Sequence, residues 1–156
     1  MSPRLRAAAL TGAAALLCSS LTACGGGSGS SSQQPGKNVA ADLKTCRASA
    51  KTAPAPYGAD FPPGWPFPPQ TTVFHVEHRA RTGSIVSAVS SARFKAILDF
   101  MNQDVAGAGY RVQKGETEAH DAEADWTGKG FRGRWTIRES ASCPGETVIQ
   151  VLSAHH

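Results

Sequence analysis

Apolar and polar residues alternate along several short stretches of this chain and switch once to a helical period. In "TVFHVEHRARTGSIVSAVS", residues 72–90, Phe74, Val76 and Ala80 alternate with His75, Glu77, Arg79 and Arg81, the pattern of a strand with one dry face. "RTG" supplies a turn before the β-rich run of Ile85 to Val89, so this stretch predicts a hairpin. The period then changes. Phe94, Ile97, Leu98, Met101 and Val105 fall on one arc at 3.6 residues per turn, with Ser90 or Ser91 placed to cap the start and Gly107 or Gly109 the end. Phe100 lies off that arc and is expected to meet another segment.

Beyond the helix, "YRVQK" reads as a short strand, and residues 118–139 carry the most specific pattern in the chain. Ala122, Ala124 and Trp126 alternate with Asp121, Glu123 and Asp125; after "TGKG", Phe131, Trp135 and Ile137 alternate with Arg132, Arg134 and Arg138. A two-residue turn at Gly128 and Lys129 sets Asp125 opposite Arg132, Glu123 opposite Arg134 and small Ala122 opposite Trp135, and leaves Arg138 facing Ala119. "ASCPGE" turns the chain into a last strand from Thr147 to Leu152, and His155 and His156 read as a disordered tail. The predicted fold class is α+β: an antiparallel sheet in the order β-β-α-β-β-β-β packed on one long amphipathic helix.

Ahead of the hairpin, "DLKTCRASAK" (42–51) reads as a short helix with Leu43 and Cys46 on one side. "PAPYGADFPPGWPFPPQ" then places seven prolines between Pro54 and Pro69, which excludes helix and central strand alike. It predicts an extended strap whose Tyr57, Phe61, Trp65 and Phe67 anchor it to a core edge. The competing reading takes "PFPP" as a polyproline ligand, and Trp65 and Phe67 are then the candidate partner contacts.

The first residues change the picture. Arg4 and Arg6 precede eleven mostly small apolar residues, 7–17, the layout of an export signal. A helix of eleven residues rises only about 16 Å, short of the ~20 residues that cross a bilayer. "LTAC" follows, with Leu21 three places before Cys24 and small Thr22 and Ala23 between. This resembles the lipobox of bacterial lipoproteins. The resemblance covers residues 1–24 and implies cleavage after Ala23, with a diacylglyceryl group on the Cys24 thiol and acyl chains such as palmitate as a stable anchor. Residues 1–23 are then the signal peptide, 24–41 the lipidated cysteine and a Gly/Ser tether, and 42–154 one folded domain. The implied location is the extracytoplasmic face of the cell membrane.

Charge and cysteines add two constraints. The chain carries 16 basic and 12 acidic side chains, but the signal segment takes Arg4 and Arg6 with it, and the remaining near-balance gives no reason to expect a nucleic-acid partner. Of the two cysteines in the domain, Cys46 lies near its start and Cys143 near its end, and in an exported chain the simplest expectation is a disulfide.

Candidate chemistry is sparse. In "HVEH", His75 and Glu77 share one strand face and His78 points to the other, so no metal triad forms from them alone. "DAEAD" opens like a calcium loop but has Trp126 at its sixth position and Arg132 at its twelfth, where glycine and glutamate are required. No nucleophile elbow, phosphate loop or H-E-x-x-H occurs, and no cofactor or metal is expected. Facing carboxylates at 123 and 125 make cross-strand ion pairs the expected role of Arg132 and Arg134, with Arg138 unpaired; the alternative takes Arg132, Arg134 and Arg138 as contacts for an anionic cell-wall polymer or lipid head group. The leading expectation is a non-catalytic, membrane-anchored module that binds an envelope protein, cell-wall polymer or small ligand. The alternative is an enzyme acting on envelope polymers, with Glu77, Asp121 or Glu123 as acid or base.

Overall fold

The computed structural model of the protein describes residues 44–80 and 82–156; the predicted signal segment, Cys24 and the tether lie outside them. β1 (Thr71–Arg79) and β2 (Gly83–Ser90) form the first hairpin. Helix α1 (Phe94–Gly107) follows, and β3 (Arg111–Val112), β4 (Glu116–Thr117), β5 (Asp121–Gly128), β6 (Phe131–Glu139) and β7 (Thr147–His155) complete one antiparallel sheet. The strands lie side by side as β1-β2-β7-β6-β5-β3, with β4 beside β5 as well. Among the described residues the arrangement is α+β, with a single α-helix. β3 and β4 pair with opposite halves of β5, Arg111 with Thr127 and Glu116 with Glu123, so they act as one edge strand in two pieces; the sequence pattern did not separate β4.

Helix α1 buries Phe94, Ile97, Met101 and Val105, with Leu98 and Phe100 packed at the margin of the same core. Its end is a Schellman motif: Gly109, at φ 94°, donates to the Ala106 carbonyl (3.0 Å), and Tyr110 N–H reaches the Val105 carbonyl (3.3 Å). Its start differs from expectation. Arg93 occupies the N-cap position with no side-chain bond. Ser90 Oγ instead accepts from Ala92 N–H (3.2 Å) and donates to the Pro69 carbonyl (3.3 Å), tying the strap's end to the helix approach.

The sheet presents Val86, Ala88, Ile149, Val151, Trp135, Ile137, Ala122, Ala124 and Trp126 to the helix. On its other face Ile85, Val89 and Val148 are also out of water, around Ser87 and Gln150, whose side chains bond each other at 3.1 Å. In β1 the register slips at Phe74, so Val73 and Val76 face the core rather than the expected set of Phe74, Val76 and Ala80. A one-residue bulge reverses the alternation at that point.

The β5–β6 hairpin pairs two residues away from the expected register. Its turn is Lys129–Gly130, both at positive φ (53° and 83°), as a type I′ turn requires. Asp125 therefore faces Arg134, Asp121 faces Arg138 and Ala124 faces Trp135, while Arg132 pairs with Thr127. Volume decides this. The register sets Trp126 opposite Gly133, where a Cβ would stand 2.9 Å from the indole Cζ2 and overlap the Leu152 carbonyl. Lys129 Nζ lies 4.7 Å above the Tyr110 ring and holds the turn against the end of the helix. β7 also runs further than expected: His155 pairs with Phe131 and stacks on its ring at 4.5 Å, so it is part of the sheet and not a tail.

Cys46 is disulfide-bonded to Cys143, 97 positions away, with a Cα–Cα separation of 5.7 Å. Asp42 and Leu43 lie outside the described residues; from Lys44 to Lys51 the chain makes one turn closed by Ser49 N–H on the Cys46 carbonyl (3.0 Å), not the expected helix. Arg47 N–H is taken by Glu146 Oε2 at 2.8 Å, and a segment this short does not offset the cost of nucleating a helix.

Two outcomes are expected in urea titrations. Gly133→Ala is expected to lower stability by about 3 kcal/mol, whereas Gly107→Ala, with open space around the new methyl group, is expected to raise it by about 0.5 to 1 kcal/mol. Cys143→Ser is expected to cost about 2 to 5 kcal/mol, and non-reducing peptide mapping of the wild type is expected to yield a linked pair of fragments containing Cys46 and Cys143.

Candidate functional site

The strap builds a concave feature on the surface. Pro62 to Trp65 is a type II turn, with Pro63 and Gly64 (φ 73°) at its centre and Trp65 N–H on the Pro62 carbonyl (3.3 Å). A second turn brings Phe61 N–H onto the Gly58 carbonyl (3.3 Å). These reversals point Trp65 into the protein, where it packs at a tilt against Trp126 (4.4 Å between centroids) and Tyr110 (4.8 Å). Phe61 and Phe67 lie parallel at 6.3 Å, and Tyr57 stands edge-on to both at 5.6 and 6.1 Å.

Between these turns lies a groove of about 910 Å³, walled by the aromatic rings, the prolines at 56, 62 and 63 and small residues. Among the described residues, no charged side chain lines it. Its polar side-chain atoms are the Tyr57 hydroxyl and the Trp65 indole nitrogen, and the latter is buried without a hydrogen-bond partner. Burial also pushes the Tyr110 phenol beneath it above its ordinary value. Within "PFPP", Phe67 is half-buried against the core and Pro68 is buried, so the segment is held as part of the strap.

The arginine stripe has a different character. Arg134 grips Asp125 with two bonds, Nε to Oδ1 at 2.8 Å and Nη2 to Oδ2 at 3.2 Å, and reaches Glu123 Oε1 at 2.8 Å with Nη1. The bonds to Asp125, more than the field of Glu123, raise its pKa further. Arg138 pairs with Asp121 at 3.3 Å, and Arg132 is exposed with no ion pair among the described residues. A cleft of about 270 Å³ over Arg134 is shared by Lys114, Glu116, Glu123 and Asp125, so both signs of charge meet there.

Of the candidate acids and bases, Glu77 stands apart, while Asp121 and Glu123 share one face of β5 two residues apart. Glu77 is exposed and bound by Arg79 at 2.8 Å, and that hydrogen bond holds its carboxyl below the usual carboxylate range. Glu77 pairs with Ile85 of β2 while Glu123 and Asp121 lie on β5, four strand spacings away, or about 19 Å at ~4.8 Å each. Paired carboxylates of glycoside hydrolysis stand about 5 to 9.5 Å apart, which excludes Glu77 as a partner of either; Asp121 and Glu123, about 7 Å apart along β5, are instead held by Arg138 and Arg134. His78 turns to the strap side, with Nδ1 3.0 Å from Ser84 Oγ, away from His75 and Glu77. Among the described residues, the one close group of metal-ligating types is Cys46, Cys143 and Glu146, whose sulfurs are spent in the disulfide. No helix among the described residues is long and apolar enough to cross a membrane.

Sequence reasoning named Trp65 and Phe67 but missed the groove, because concavity comes from how the two turns fold the strap on itself. The Pro-Pro-Gly and Tyr-Gly pairs were its only local signal. No family model, curated protein or solved structure matches this chain.

Because Arg134 serves two carboxylates, exchanging one pair is expected to fail as a rescue. In Glu123→Arg with Arg134→Glu, Asp125 would face a carboxylate, and the double variant is expected to remain about 1 kcal/mol below wild type in thermal or urea unfolding. Asp125→Ala is expected to cost more than Glu123→Ala, since it removes two bonds rather than one.

Proposed function

We propose that this protein is a lipid-anchored, extracytoplasmic binding module of a bacterial cell membrane, and that it is not an enzyme. The observation that carries the binding reading is the chemistry of the strap groove. It has the volume of a small-ligand site, within the roughly 300 to 1,000 Å³ range of such sites, yet its walls offer no carboxylate, imidazole, thiol or amine. A hydrolytic centre needs an acid or base within hydrogen-bond reach of the reacting atom. The carboxylates that patterning nominated for that work, Glu77, Asp121 and Glu123, are each engaged by an arginine on the opposite face of the sheet from the helix. The export segment and the "LTAC" lipobox support the location.

The test of the anchor is the mass of the mature protein. Purified from membranes, it is expected to begin at Cys24 and carry acyl mass, and Cys24→Ala is expected to keep residues 1–23. An N-terminus elsewhere, or an unmodified Cys24, would overturn it. The competing enzyme reading is tested on the same preparation. Turnover of cell-wall polymer that Glu123→Gln or Asp121→Asn abolishes, with thermal stability kept, would replace the binding module by a hydrolase.

A further inference from the structure

We infer that the strap groove holds one lipid acyl chain, drawn from the membrane in which the Cys24 anchor sits. This rests on the reading of the protein as a lipid-anchored binding module. The first argument is what the groove lacks. A bound peptide brings an N–H and a carbonyl per residue, and each one desolvated without a partner costs about 1 to 3 kcal/mol. The lining side chains return little for that cost: the Tyr57 hydroxyl is the one polar side-chain atom free of the core, and Trp65 Nε1 is sealed inside. A hydrocarbon chain asks for no hydrogen bonds and gains about 25 cal/mol for each Å² it removes from water. A charged ligand is disfavoured for the same reason, because no counter-charge lines the walls.

The second argument is position. Lys44, where the described chain begins, lies twenty positions after Cys24, and a chain of that length spans at most about 70 Å. The next fixed point, Cys46, is bonded to Cys143, and the strap starts eight residues later at Pro54. An anchored protein therefore keeps the groove within reach of the bilayer, where acyl chains are by far the most abundant apolar groups. The groove's outer wall is accessible: Pro56, Ala59, Pro63 and Gly64 are exposed, while Phe61, Pro62 and Trp65 form a floor that is already packed.

The experiment uses the mature protein in vesicles of phosphatidylethanolamine and phosphatidylglycerol, a fraction of the latter carrying a diazirine on one acyl chain. After irradiation, peptide mapping is expected to find the adduct on residues 55–67. Ala59→Glu and Pro63→Glu each set a carboxylate in the wall from an exposed position, and each is expected to reduce adduct formation about tenfold, which corresponds to about 1.4 kcal/mol. Ala59→Gln, which adds similar bulk without charge, is expected to keep most of it. Thermal unfolding of all four proteins checks that the fold is retained. A second arm offers diazirine-bearing palmitate without vesicles. If the anchor reading is wrong, the protein will not sediment with vesicles, yet palmitate will still mark the strap. Sedimentation without strap adducts in either arm overturns the acyl-chain site. So does strap labelling that the glutamate variants leave unchanged, which marks mere proximity to the bilayer, or displacement of the probe by a proline-rich peptide but not by unlabelled palmitate.

Discussion

The contact of Trp126 with Gly133 and Trp65 is the point on which the rest of this structure depends. Trp126 lies over a glycine on the neighbouring strand, and only a residue without Cβ leaves room for its indole there. Once seated, the ring meets Trp65 of the strap at a tilt, 4.4 Å between centroids, while Tyr110, just past the helix end, stands edge-on to it at 5.5 Å. Sheet, helix and strap thus meet at three aromatic rings. The indole nitrogens of Trp65 and Trp126 and the Tyr110 hydroxyl find no protein partner there, at roughly 1 to 3 kcal/mol each. Burying rings of 150 to 250 Å² at about 25 cal/mol per Å² returns about 4 to 6 kcal/mol each, which is the larger effect.

The same contact explains why the strap has a groove rather than a flat surface. Trp65 is pulled inward by these rings, and Phe61 follows it, while the chain on either side must turn outward through Gly58 and Gly64 to continue. The disulfide at Cys46 and the bond from Ala53 N–H to the Val73 carbonyl (2.8 Å) hold the strap's beginning against β1, and Ser90 holds its end through Pro69. A proline-rich segment pinned at both ends, folded by two turns and drawn in at its middle, leaves a hollow between its own residues. The hollow is apolar because every anchor that draws the strap in is aromatic.

On the opposite face of the sheet the organising interaction is electrostatic. Arg134 sits between Asp125 and Glu123 at the row where β6 crosses β5, and Arg138 repeats the arrangement with Asp121. Three carboxylates held by two guanidinium groups make a surface of paired charges rather than a purely cationic stripe. Glu116 and Lys114 lie in the same cleft as Arg134, so both signs of charge meet there.

Hydrophobic period alone determined the secondary structure class: the helix from Phe94, the hairpins on either side of it, and the breaks at glycine and proline were legible because each follows from spacing within a dozen residues. The strap was legible for the same reason, since proline forbids regular structure wherever it falls. Cys46 and Cys143 stood out as the only two cysteines beyond the lipobox. What the tertiary structure decided is register and concavity. Charge alternation along β5 and β6 fits two registers equally, because shifting by two residues returns like to like on each face. The choice between them fell to the space that Trp126 needs over Gly133, a contact between residues seven positions apart that volume, not charge, selects. The groove was beyond the sequence for a related reason. Its floor is created by a tryptophan on another strand pulling Trp65 out of the line of the chain, and no local pattern records a force that arrives from elsewhere in the fold.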